Sequence, residues 1–104
     1  MKDQQKIDSC YAIEDNKNAL SCLKEVVRTA EGTCRPKLVL FTQENCVPCK
    51  KERARHQEDI AKGIIQELSI ESPEGLEIAH RNKIEYFPAL VLLDCNNNLI
   101  SPSD

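Results

Sequence analysis

The sequence predicts an α/β domain, a mixed β-sheet with helices packed on its faces. Three observations carry this: segments of helical periodicity alternate with short apolar runs of strand formers, a hairpin-like ending follows the last of those runs, and the chain has 104 residues. That length supports one modest core and not two. Residues 1–14 form an N-terminal extension in which Ile7, Tyr11 and Ile13 suit an edge strand over 7–13, ahead of a core spanning 15–100. Asp15 or Asn16 then caps a helix with Ala19, Leu20, Leu23, Val26, Val27 and Ala30 on one face, stopping at Gly32. Residues 37–42, KLVLFT, follow Pro36 and form a strand buried on both faces. From Cys46 a helix with a thin apolar face runs to a glycine cap at Gly63. A strand over 64–70 places Ile64, Leu68 and Ile70 on one side and Glu67 and Ser69 on the other. Ser72, Pro73 and Glu74 supply the N-cap, first-turn proline and first-turn acid of a short helix ending near Asn82. FPALVLLD, residues 87–94, is an apolar strand, and CNNN followed by LI is a turn with a brief returning strand. The expected order is β, α, β, α, β, α, β, β.

Seventeen acidic against fourteen basic residues give a formal charge of −3. No tract of like charge is long enough to grip a phosphate backbone or an anionic membrane, so neither nucleic acid nor a membrane is expected as a partner. MKDQQKIDSC lacks the apolar core of a secretion signal, and no stretch approaches the roughly 20 apolar residues of a membrane span. The expectation is a soluble, cytoplasmic chain. In that setting cysteines serve metal or redox roles more than structural ones. There are six, Cys10, Cys22, Cys34, Cys46, Cys49 and Cys95; the first four fall twelve apart, but the intervening segments share no pattern and no repeat follows.

The spacing Cys46-Val47-Pro48-Cys49 matters because of where it sits, at a strand-to-helix junction. The first cysteine there faces unpaired N–H groups and the positive end of the helix dipole, which favour thiolate, the attacking species in disulfide exchange. Cys46 is therefore the expected nucleophile. Cys49, nearly one turn on, reaches back to resolve the mixed disulfide, and Pro48 forfeits nothing in a first turn whose N–H groups lack intrahelical partners.

A strand, then FTQENCVPCKK, then a helix, with YFPALVLLD near the end, resembles the thioredoxin family over about residues 15–100. The resemblance implies a thioredoxin-like thiol:disulfide oxidoreductase with Cys46 and Cys49 catalytic and no cofactor. Its partners would be protein disulfides and a reductase or small thiol as electron donor. It also implies a cis-proline at Phe87-Pro88, where those two residues, with Val47 and Pro48, shape the substrate groove. Several features depart from the family: Asn45 stands where tryptophan is usual, Val47 where glycine is usual, and the family's buried aspartate falls at Leu40. Glu67 occupies the position of its accompanying lysine. That carboxylate takes over the proton relay if it lies beneath Cys49, and is otherwise a solvated strand residue. The closing helix of the fold is absent, since only Ser101 to Asp104 follow the hairpin. One sheet face then needs cover from the second helix, the N-terminal residues or another chain, and a homodimer or partner contact is expected there.

Zinc is the main rival chemistry, but it wants four ligands and the sequence has one short-spaced pair. A site would need scattered cysteines, or His56 and His80, each better explained as a solvated helix position, so no metal is expected. Cys22 beside an apolar stripe suits a small hydrophobe. If residues 37–42 and 88–94 run antiparallel with Thr42 near Pro88, Cys34 approaches Cys95 as a structural disulfide; Cys10 with Cys22 is a weaker pairing. Such bridges would indicate an oxidising compartment or a hyperthermophile. Two other functions stay open. One is a glutaredoxin-like reductase, although Asp94-Cys95-Asn96-Asn97 stands where that family's glycine pair binds glutathione. The other is a non-catalytic interaction module using the exposed sheet face.

Overall fold

A computed structural model describes residues 2–30 and 34–100. The elements run α1 (Lys2–Tyr11), α2 (Asn16–Thr29), β1 (Lys37–Thr42), α3 (Val47–Arg55), α4 (Gln57–Ala61), β2 (Ile65–Ser69), α5 (Pro73–Arg81) and β3 (Ala89–Leu93). The strands form a mixed sheet in the order β2-β1-β3, with β2 parallel and β3 antiparallel to β1. This is the expected α/β class, with a small three-stranded sheet at its centre.

The N-terminal segment departs most from expectation. The edge strand over 7–13 is not formed; Lys2–Tyr11 is helical instead. Ile7 and Cys10, three apart and so on one helical face, are 3% and 0% exposed and join the core beside Leu38, Leu40 and Val26. Ten residues make a marginal helix alone, and here a disulfide from Cys10 to Cys22 on α2 ties it down. Tyr11 donates its hydroxyl to the Ile100 carbonyl at 3.0 Å, and burial pushes its phenol above the usual 10.0.

Asp15 caps α2 as expected, accepting from the Lys17 N–H at 2.9 Å. The helix ends at Thr29, and the expected stop at Gly32 lies outside the described residues. β1 is the central strand, buried at every position after Lys37. Its alternation divides the core: Leu38 and Leu40 face α1, α2 and α4, whereas Val39 and Phe41 face Ile78 and Ala79 of α5. The N-terminal residues and α2 thus supply most of the cover on the first face. They do not close it. A groove of about 1100 Å³ remains between α2 and the end of α3, floored by Leu38, Leu90 and Leu92.

The helix expected from Cys46 to Gly63 is broken in two at His56, whose backbone (φ −105, ψ 15) is not helical. His56 is buried rather than solvated, at 6% exposure, with Nε2 3.3 Å from Glu52 Oε2. Turning that ring inward while the next helix angles Ile60 onto the core accounts for the interruption. Gly63, at φ +79, takes the left-handed conformation expected of a helix terminator. Ile64 precedes β2 and packs on the α2 face, whereas Leu68 and Ile70 pack on the α5 face, so the three do not share a side.

Ser72 caps α5, accepting from the Gly75 N–H at 3.1 Å and donating to the Ser69 carbonyl at 2.6 Å. A β-carbon on Gly75 would lie 2.0 Å from that same carbonyl oxygen. Gly75→Ala is therefore expected to push α5 off the end of β2 and to cost about 2 kcal/mol in a urea unfolding titration. Beyond β3, Asp94 Oδ1 accepts from the Asn96 and Asn98 N–H groups at 2.8 and 3.0 Å. The returning strand is reduced to a single bridge, Leu93 with Leu99.

Candidate dithiol site

The register of the sheet brings two distant stretches to one end. Phe41 pairs with Ala89, so Thr42 lies opposite Pro88, and the chain leaving β1 turns through residues 43–45 beside the segment entering β3. The Phe87–Pro88 bond is cis. Asn45, at φ 54, occupies a left-handed conformation that asparagine tolerates better than most residues. It delivers Cys46 as the N-cap of α3.

Cys46 and Cys49 are joined as a disulfide, with Cα atoms 5.2 Å apart. The Cys49 N–H donates to Cys46 Sγ at 3.1 Å, so the sulfur itself caps the helix. Cys46 is 7% exposed and Cys49 1%; of the two, Cys46 is the one solvent reaches. Val47 is 62% exposed, Pro48 is also exposed, and Phe87 and Pro88 are half-buried. The helix continues as Lys50, Lys51, Glu52, Arg53 and Arg55, a cationic surplus just behind the dithiol. The sulfur nearest solvent thus meets an oriented N–H and the positive helix end, the two features that favour thiolate over thiol in a reduced cysteine at a helix N-terminus.

Glu67 pairs in register with Leu40, which turns its side chain to the same face of the sheet as that of Leu40. It is neither isolated in solvent nor bonded to a thiol. Arg53 donates to it from Nε at 2.6 Å and approaches it with Nη2 at 2.5 Å, and Thr42 Oγ1 donates at 3.3 Å. Arg53 stands one turn after Cys49, and both line a cleft of about 270 Å³ with Gln43, Glu44, Asn45 and Lys50.

Glu71 is a site residue that sequence reasoning missed. Its Oε2 accepts from the Glu44 N–H at 3.2 Å and from Ser69 Oγ at 2.9 Å. These contacts tie the turn before Cys46 to the loop after β2. No pattern marks an exposed glutamate for this task; the parallel pairing of β1 and β2 alone brings the two loops together. Glu71→Ala is expected to slow alkylation of reduced Cys46 by iodoacetamide roughly fivefold, the equivalent of about 1 kcal/mol for one lost hydrogen bond. Glu71→Gln, which keeps an acceptor oxygen, is expected to recover most of that rate.

The remaining cysteines pair as Cys34–Cys95 and Cys10–Cys22, with Cα separations of 5.0 and 5.4 Å. The first is the bridge that the antiparallel pairing of β1 and β3 allowed without requiring, exposed at the end of the sheet opposite Cys46. The second overturns the reading of Cys22 as a free hydrophobic side chain. Its geometry was hidden because α1 was not expected to be helical. No group of three or more histidine, cysteine or acidic residues among the described residues is arranged to hold a metal, and His80 is exposed. None of the described helices is long and apolar enough to cross a membrane.

No protein-family model, curated protein or solved structure matches the chain.

Proposed function

We propose that this protein is a thioredoxin-like thiol:disulfide oxidoreductase that acts on protein disulfides through Cys46 and Cys49. The observation that carries the reading is a disulfide whose more exposed sulfur caps a helix and accepts the Cys49 N–H at 3.1 Å. In the reduced protein the Cys46 thiolate attacks one sulfur of a substrate disulfide, forming a mixed disulfide and releasing one substrate thiolate. Cys49 then loses its proton and attacks Cys46 Sγ. The second substrate thiolate leaves, and the protein takes the bonded form; two electrons have passed to the substrate. A reductase or small thiol returns them. Val47, Pro48, Phe87 and Pro88 border the groove in which the substrate disulfide is placed. Glu67 serves as a proton acceptor for Cys49 only when Arg53 releases it, so its pairing supports a structural role better than a relay.

Three disulfides in one small domain favour an oxidising compartment over the cytoplasm. A second reading has one observation behind it. The half-open groove floored by Leu38, Leu90 and Leu92 suits an interaction module in which a second copy or a partner chain completes the cover of the sheet. An insulin turbidity assay with dithiothreitol separates the two: acceleration of disulfide reduction supports the oxidoreductase, and a rate equal to dithiothreitol alone supports the module.

A further inference from the structure

The groove between α2 and the end of α3 lies on the sheet face away from α5, and neither Cys46 nor Cys49 lines it. Its volume of about 1100 Å³ is at the upper end of what small-molecule ligands occupy. Leu20 and Leu23 wall it on α2, and Tyr11, Ile13 and Leu99 carry the apolar lining out to the rim. Those three rim residues are between 37% and 42% exposed.

The charge of the groove is opposite to that of the molecule. The chain carries a formal −3, yet Lys17, Lys24 and Arg55 line the groove against the single carboxylate of Glu52. Two of these cations are engaged: Lys24 pairs with Asp59, and Arg55 with Glu52 at 3.1 Å. His56, in the same wall, also faces Glu52. Lys17 differs. Among the described residues its ammonium has no acceptor, since Asp15 in the preceding turn takes its hydrogen bonds from the Lys17 backbone N–H and the Asn18 side chain. From Lys17 to Lys24 the helix rises about 10 Å, and Leu20 and Leu23 lie between them on the groove side. An unpaired cation therefore stands at one end of an apolar wall.

We infer that the groove binds a single-chain aliphatic carboxylate, its head group on the Lys17 ammonium and its chain along Leu20 and Leu23 over Leu90. The occupant is narrow. Leu38 and Leu92 at the bottom are 1% exposed, so the open apolar strip is confined to the half-buried Leu20, Leu23 and Leu90. An α-helix, about 10 Å across with its side chains, is too broad to enter such a strip. A second copy docked groove to groove would set Lys17, Lys24 and Arg55 against their own equivalents, which like charges oppose. The site is independent of the dithiol, and the oxidoreductase reading stands or falls without it.

The test titrates the full-length protein, its three disulfides intact, with decanoate, hexanoate, decanol and decyltrimethylammonium. Each is kept below its micelle concentration, and backbone amide shifts are followed by NMR. Decanoate is expected to bind about fifteenfold more tightly than hexanoate, because each added methylene buries about half its surface. It should bind about fivefold more tightly than decanol, the worth of one exposed ion pair, with the shifts concentrated in α2 and β3. Lys17→Gln should erase the advantage over decanol and Lys17→Arg should keep it. The side chain is exposed, so neither change is expected to disturb folding. Affinity independent of chain length, decyltrimethylammonium binding as well as decanoate, or an unchanged preference in Lys17→Gln overturns the inference. So does the absence of any shift up to the solubility limit of decanoate, or a concentration-dependent dimer that decanoate fails to displace.

Discussion

Cys46→Ser is expected to abolish the acceleration of insulin reduction, whereas Cys49→Ser is expected to arrest the protein as a covalent adduct with its substrate. The asymmetry follows from burial and capping. Cys46 keeps 7% exposure against 1% for Cys49, so an incoming disulfide meets Cys46 first. The helix end directs an N–H at that same sulfur, and the ionised form it stabilises is the one that attacks. Serine in its place has a hydroxyl that stays protonated at neutral pH and forms no bond to sulfur. With Cys46 present and Cys49 replaced, the first step proceeds and the second has no thiolate to complete it. The mixed disulfide should accumulate with one equivalent of substrate, visible by intact-mass measurement and reversed by dithiothreitol. An adduct in Cys46→Ser and none in Cys49→Ser would reverse the roles. Equal insulin activity in both variants and in the parent would end the redox reading altogether.

The second large effect concerns stability. Replacing Cys34 and Cys95 together by serine is expected to cost about 4 kcal/mol, because the bridge closes a loop with a sequence separation of 61 residues and restricts the unfolded chain accordingly. Cys10 with Cys22, separated by 12, should cost about 3 kcal/mol on the same entropic argument. Against a typical total of roughly 5–15 kcal/mol, either loss is a large share. Urea titrations of the two double variants, with the Cys46–Cys49 bond kept oxidised, give these numbers directly. The two should also differ in kind. Losing Cys10–Cys22 frees a ten-residue helix whose buried anchors are Ile7 and Cys10, so amide exchange should rise in α1 while the sheet stays protected. Losing Cys34–Cys95 loosens the start of β1 against the end of β3 and should lower protection across the sheet. A change under about 1 kcal/mol in both variants would mean that the bridges add little beyond the packing already present.

Where local chemistry is decisive, sequence and structure agree. Asp15 and Ser72 mark their helices because each side chain satisfies an N–H that the first turn leaves unpaired. LVLF, residues 38–41, and ALVLL, residues 89–93, are apolar at consecutive positions, which only a strand covered on both faces uses fully. The Cys46 site was legible for the same reason, since a short-spaced pair at a strand-to-helix junction places the first cysteine at the helix cap whatever surrounds it. Agreement ends where partners distant in sequence decide the outcome. KDQQKIDSCY has too little apolar periodicity to announce a helix; burial of Ile7 and Cys10 against α2 makes it one. The break at His56 likewise goes with burial of its ring and with Ile60 packing onto the core cluster that holds Leu38 and Leu40.

By itself the sequence determined the class of the domain, most of its helix starts, the central strand and the thiol pair, all of which follow from contacts within a few residues. Only the tertiary structure decided that α1 and α2 cover one sheet face, that all six cysteines pair, and that Glu71 steadies the turn before Cys46. It also set Glu67 against Arg53 instead of Cys49. Those outcomes depend on which surfaces meet once the chain has closed over long loops, and meeting is a property of register and packing that no short window of residues contains.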